Sequence, residues 1–188
     1  MPIKVFGLLL ALGALQFIAV VQIASALYPG YSAWTNYISD LGNRSLAGPA
    51  VSSIFNSSAL ALGALTIASA YGLGRAAQRR ALTTSTLALA GVGALGVGLF
   101  PEGTPHGLHT ISALIAFLFG GLAVAFLGSY TPVPKALRML GILMGAITLI
   151  SLAAYVALGE PPIVERLIVY PILIYAAIYG LYVAARWA

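Results

Sequence analysis

The sequence predicts an all-α fold: a polytopic integral membrane protein, a six-transmembrane-helix bundle with a short interfacial helix between helices one and two. Three observations predict it. The 188 residues are 61% hydrophobic and only 7% charged, more apolar surface than a water-soluble domain of this size can hide. The few charges divide the chain into uncharged runs at 5–39, 45–74, 81–101, 103–134, 139–159 and 167–185, each able to supply the ~20 apolar residues that a span needs. The connections between runs are too short to hold an extramembrane domain, so residues 1–188 read as a single six-helix transmembrane domain.

The net charge of +5 invites a nucleic-acid reading, but the placement of the charges excludes it. Lys4, Arg75, Arg79, Arg80, Lys135, Arg138 and Arg186 fall at one end of a six-helix bundle. Arg44, Arg166 and all four acids, Asp40, Glu102, Glu160 and Glu165, fall at the other. The positive-inside rule then places both termini in the cytoplasm and the acidic end outside, in a multi-pass protein of the cell membrane. Its expected partners are membrane lipids, with no nucleic acid. The absence of cysteine removes disulfides, thiolate nucleophiles and cysteine metal sites. Ala24-Ser25-Ala26 resembles a signal-peptidase site, but the apolar run before it exceeds the ~7–15 residues of a signal peptide. The run is therefore expected to remain as the first span.

Taken in order, helix one covers residues 5–27 and carries Gln16 and Gln22, which are expected to face neighbouring helices rather than lipid. The stretch 28–45 is the longest that is neither a plain span nor a basic connector. Tyr28, Tyr31, Trp34 and Tyr37 recur every third residue, predicting an interfacial helix over 33–41 with Ser32 as its N-cap and Gly42 as its stop. Its rings would lie toward lipid, and Asn36, Asp40 and Asn43 toward the protein. Helix two, 49–73, opens with Pro49 in its first turn, where a missing N–H costs little. Its outer half carries Ser52, Ser53, Asn56 and Ser57. Helix three, 81–100, contains Gly91, Gly93, Gly96 and Gly98, read chiefly as close helix packing. His109 opens helix four. Helix five, 139–158, contains the pattern Gly141-x-x-x-Gly145, compatible with helix contact or with a homo-oligomer. Helix six contains Pro171, which removes one rung of its hydrogen-bond ladder.

The three connections at the acidic end hold every acid, both histidines and Arg166. Ionisable groups at membrane depth are costly unless paired or functional, so this concentration marks a candidate site. Asp40, His109, Glu165 and Arg166 are expected to converge on one outward-facing cavity as candidate catalytic groups. Asn36, Asn43, Asn56, Glu102 and His106 are the candidate ligand-binding and supporting groups. Three chemistries fit. A divalent metal would take His106 and His109 with Asp40, or with Glu102 or Glu165, as the carboxylate. A metal-free acid–base site would pair a histidine with Asp40 or a glutamate and use Arg166 to hold an anionic head group. A structural network would pin the loops through Asp40–Arg44 and Glu165–Arg166, with the histidines as helix caps. Asn43-Arg-Ser45 is a glycosylation sequon, but its position favours holding the loop.

Asn36-Tyr-Ile-Ser-Asp-Leu-Gly42, the Phe100-Pro-Glu102 step, His109 at the start of helix four and Glu165-Arg166-Leu167 before helix six resemble the prokaryotic membrane family catalogued as domain of unknown function 998. The similarity spans nearly the whole chain, and the Ser-Asp-Leu-Gly element is its most specific part. That family is distantly similar to the Frag/DRAM/Sfk-like membrane proteins, some of which are linked to remodelling of lipids or lipid anchors. The resemblance implies the fold and a lean toward lipid chemistry, but supplies no activity. The leading expectation is a membrane-embedded enzyme or binding protein for a lipid or lipid-linked head group. The alternatives are a small transporter or channel, or a structural accessory subunit. Helices three to five have almost no mid-span polar groups, which favours a one-sided site over a carrier.

Overall fold

An apolar segment in lipid can satisfy its own peptide groups only as a helix or a closed barrel, and here every long uncharged run becomes a helix. The computed structural model describes residues 2–186. The helices are α1 (Ile3–Leu27), α2 (Arg44–Arg75), α3 (Arg80–Leu99), α4 (Leu108–Tyr130), α5 (Lys135–Ala157) and α6 (Pro162–Arg186). All six are long and apolar enough to cross a membrane. The chain is a multi-pass, all-helical membrane protein. Its acids gather at the end that carries the α1–α2, α3–α4 and α5–α6 connections, called the acidic end below.

The six helices do not contribute equally. Neighbours in sequence pack against one another, and α6 returns to pack along α1. Direct contact between α4 and α6 is sparse, and α5 packs against both. The result is a ring of α1, α2, α3, α4 and α6, with α5 outside it and the least buried of the six.

Glycine sets how tightly the ring closes. A Cβ on Gly93 of α3 would stand 2.3 Å from the Ala116 nitrogen of α4, and one on Gly7 of α1 2.7 Å from the Gly180 carbonyl of α6. Backbones this close exclude any side chain at those positions. Gly141 and Gly145 of α5 also face inward: a Cβ on Gly145 would meet the Gly121 carbonyl of α4 at 2.7 Å. This is the helix contact with which the glycine spacing is compatible. Gln16 links α1 to α2, donating to the Ser58 carbonyl at 3.1 Å and accepting from its hydroxyl at 2.7 Å. Gln22 donates to the Tyr170 hydroxyl of α6 at 2.8 Å.

α2 begins in two steps. Gly48 has φ +80 and ψ 167, a conformation that glycine adopts at little cost. It separates one short turn from the main helix, which starts at Pro49 as its position predicts. Asn43 caps the short turn, its Oδ1 accepting from the Ser45 N–H at 2.9 Å.

The connection between α1 and α2 departs from expectation. No continuous helix runs over 33–41. A single turn at Ser32–Asn36 is closed by the Asn36 N–H on the Ser32 carbonyl at 2.8 Å, and a one-turn 3-10 helix follows at Ser39–Gly42. The aromatic stripe divides as well. Trp34 is 74% exposed, as a lipid-facing ring would be, whereas Tyr31 turns inward and its hydroxyl donates to the Tyr37 carbonyl at 3.0 Å. Ring spacing suggested a helix, but contacts from distant α6 hold these peptide groups in another shape.

Candidate functional site

Residues 36–42 drop into the ring at the acidic end like a plug. Ile38 is 3% exposed and Leu41 fully buried. Four polar tethers hold them. Glu165 Oε2 accepts from the Ile38 N–H at 2.5 Å, and Arg166 donates to the Asn36 carbonyl at 2.9 Å. Asn56 Nδ2 donates to the Gly42 carbonyl at 3.0 Å, and the Tyr37 hydroxyl to the Glu160 carbonyl at 2.8 Å. Two consecutive residues of α6 thus grip this segment from opposite ends of their chemistry, one as acceptor and one as donor.

Asp40 belongs to the plug itself. Its Oδ2 accepts from Asn36 Nδ2 at 3.1 Å and from the Tyr37 N–H at 3.0 Å. Asn36 Oδ1 accepts from the Ser32 N–H at 3.1 Å. Asp40 and Asn36 therefore fold the loop against its own backbone. Arg166 finds no acid: it donates to the Tyr31 hydroxyl at 2.6 Å and to the Pro162 carbonyl at 3.0 Å, and its guanidinium lies 5.6 Å from the Tyr31 ring centre. Burial pushes the Tyr31 phenol above its usual range, and the Arg166 guanidinium opposes that rise. The Tyr37 phenol is also raised, by burial and then by the Glu160 carboxylate.

His109 stands across the ring at the start of α4 and is 6% exposed. Its Nδ1 lies 2.9 Å from the Phe100 carbonyl and its Nε2 3.1 Å from Glu102 Oε2. A carbonyl can only accept, so Nδ1 carries a proton. The Nε2–Glu102 contact is an ion pair when the imidazole carries its second proton. This is the one ion pair among the described residues. Both ring nitrogens are engaged, and the pair clasps the α3–α4 connection to α4. His106 is exposed in the turn before it, at φ +67. Among the described residues, no three of His, Asp and Glu come together as metal ligands, and His106, His109 and Asp40 do not assemble as one set.

Beneath the plug lies a cavity of about 110 Å³. Its roof is Ile38, Ser39, His109 and Glu165, and its far end is reached at Leu10, Leu87 and Leu127. The wall between is apolar except for Thr66. All five ring helices contribute and α5 contributes nothing. His109 to Leu127 on α4 is roughly 27 Å at 1.5 Å per residue, close to the ~30 Å hydrocarbon core of a bilayer. With a volume of about 110 Å³ spread over that length, the space is long and thin.

Of the nine candidate residues named from sequence, His109 and Glu165 line this cavity. Asp40, Arg166, Asn36 and Asn56 build the plug, Asn43 caps α2, Glu102 pairs with His109, and His106 lies exposed. Sequence reasoning missed Ser39 and Ile38, although both sit inside the Asn36–Gly42 element. It also missed the wall residues Ala113 and Phe117, which carry no polar signal.

The model of the family described as "Protein of unknown function (DUF998)" matches residues 11–182, which takes in α2 to α5, most of α1 and α6, and the plug. The chain belongs to this family. The match covers every DUF998 element on which the resemblance rested, from Asn36–Gly42 to Glu165-Arg166-Leu167. No curated protein and no solved structure matches this DUF998 chain.

Proposed function

We propose that this protein is a lipid-binding membrane protein that holds a single apolar chain in its central cavity, with the chain's polar end beneath the plug. The long, thin cavity that passes from Ser39, His109 and Glu165 to Leu127 carries this reading. A carbon-lined space of this shape is poor for water, which needs two to four polar partners, and suits a hydrocarbon chain. The acidic end faces the outside of the cell membrane and both termini the cytoplasm, as the distribution of basic residues supports.

A carrier or channel is less well supported. The cavity ends at apolar side chains before the basic end, where Leu73 is fully buried, and a transport path needs access from both faces. The glycine pair of α5, which suggested an accessory subunit, packs against α4.

Native mass spectrometry of protein released from lipid nanodiscs tests the reading. Wild-type protein is expected to carry one single-chain adduct. Ala113→Trp and Ala116→Phe, both on the cavity wall, should lose it, and Leu143→Trp on the exposed face of α5 should keep it. Wild-type protein without an adduct, or an adduct kept by both folded wall variants, overturns the proposal. Orientation is tested separately, since the chain has no native cysteine. Cysteines at Gly103 and Gly159 should label only from outside.

A further inference from the structure

The polar atoms at the roof identify the end of the chain that the cavity takes. Four residues form the roof, and two of them are already spent or apolar. Ile38 offers a hydrocarbon side chain, and its N–H is taken by Glu165 Oε2. His109 has both ring nitrogens engaged by Phe100 and Glu102. What remains is the second oxygen of Glu165 and the hydroxyl of Ser39. Both residues line the cavity, and neither of these atoms has a hydrogen-bond partner among the described residues.

No lysine or arginine lines the cavity. Arg166 is adjacent in sequence, but its donors go to Asn36, Pro162 and Tyr31. An anionic terminus, whether carboxylate or phosphate, would be buried beside a carboxyl group with no cation to pair it, and an unpaired buried charge is costly. An alkane end would leave both roof atoms unsatisfied, a penalty of the kind that makes hydrogen-bonding sites reject analogues lacking the polar group. A hydroxyl both donates and accepts. It can donate to Glu165 and accept from Ser39, or accept from Glu165 in its protonated form and donate to Ser39, so it satisfies the roof in either state of the carboxyl.

Resting on the single-chain reading above, we infer that the ligand is a single-chain lipid ending in an uncharged hydroxyl, such as a long-chain alcohol or a monoacylglycerol, bound with that hydroxyl between Ser39 and Glu165. Single-chain amphiphiles with an anionic end are the competitors that the roof turns away.

The experiment uses the full chain in phosphatidylcholine nanodiscs and a dodecanol carrying a photoreactive diazirine near its methyl end. After irradiation, label is mapped by peptide mass spectrometry. Capture is expected on the lower cavity wall of α4, between Phe117 and Leu127. Unlabelled dodecanol should compete at least tenfold better than dodecanoate or dodecane. Glu165→Ala and Ser39→Ala should keep capture while narrowing the advantage of dodecanol over dodecane. If dodecanoate competes as well as dodecanol against the wild-type protein, the hydroxyl inference is overturned and the chain-binding reading survives. If no label reaches the α4 wall of the wild-type protein, the chain-binding reading itself falls. Because the competitor series uses wild-type protein, the result does not depend on any variant folding.

Discussion

Replacing Arg166 with alanine should loosen the plug while leaving the helical ring folded. Arg166 makes two hydrogen bonds that cross between elements, to the Asn36 carbonyl at 2.9 Å and the Tyr31 hydroxyl at 2.6 Å. The third, to the Pro162 carbonyl, stays within α6. Hydrogen bonds to a charged group contribute about 1.5–3 kcal/mol each, but this guanidinium is only partly buried, so roughly 1 kcal/mol each is the fitting scale. The sum, about 2 kcal/mol, corresponds to about 30-fold in the opening equilibrium. Hydrogen–deuterium exchange of peptides spanning residues 31–42 reads it directly. Those peptides should exchange about 30-fold faster in Arg166→Ala, with α1 peptides unchanged. Arg166→Lys should recover little, because an ammonium cannot reproduce the planar fork. Exchange that stays at the wild-type rate, or that accelerates equally in α1, would refute the assignment of Arg166 as the plug's tether.

Three further outcomes follow from the same geometry. His109→Ala should lower thermal stability in detergent by about 1–3 kcal/mol, since it releases the Phe100 carbonyl and the Glu102 contact together; an unchanged unfolding midpoint would show that the clasp is idle. Gly93→Ala should destabilise by about 1–3 kcal/mol through overpacking, because the new methyl would meet the Ala116 backbone at 2.3 Å; circular-dichroism melts that match wild type would contradict the contact. The Tyr31 phenol is raised in the folded protein by burial. Its contribution is therefore complete below the unfolded value of about 10 and lost as pH rises from there through the higher folded value. Tyr31→Phe should flatten the stability of residues 31–42 against pH above about 10, and an unchanged alkaline slope in exchange rates would remove Tyr31 from the account.

The spans were legible because charge in a 7%-charged chain is confined to the helix ends, and lipid leaves a long apolar run no structure but a helix. The start of the main α2 helix at Pro49, the inward Gln16 and the packing role of Gly93 were legible for similarly local reasons. The plug was not. Its peptide groups are satisfied by Glu165 and Arg166, more than 120 positions further along the chain, and three-residue ring spacing says nothing of such partners. Arg166 was expected to hold an anionic head group or to pair with Glu165, but it donates to carbonyl and phenol oxygens, since its reach from α6 ends on the plug. The cavity was also hidden. Ala113, Ala116 and Phe117 on its wall are of the same apolar kind as the lipid-facing Leu114 and Leu118. Only which face of α4 packs toward α3 and the ring interior separates the two sets.

The central claim is that the cavity holds one hydrocarbon chain. A high-resolution density map of the protein in lipid nanodiscs, read between Glu165 and Leu127, tests it most directly. The account predicts one continuous unbranched tube of density, with its polar end against Ser39 and Glu165. Isolated water peaks along the cavity, or a collapsed core in which the opposing walls of α3 and α6 touch, would contradict it.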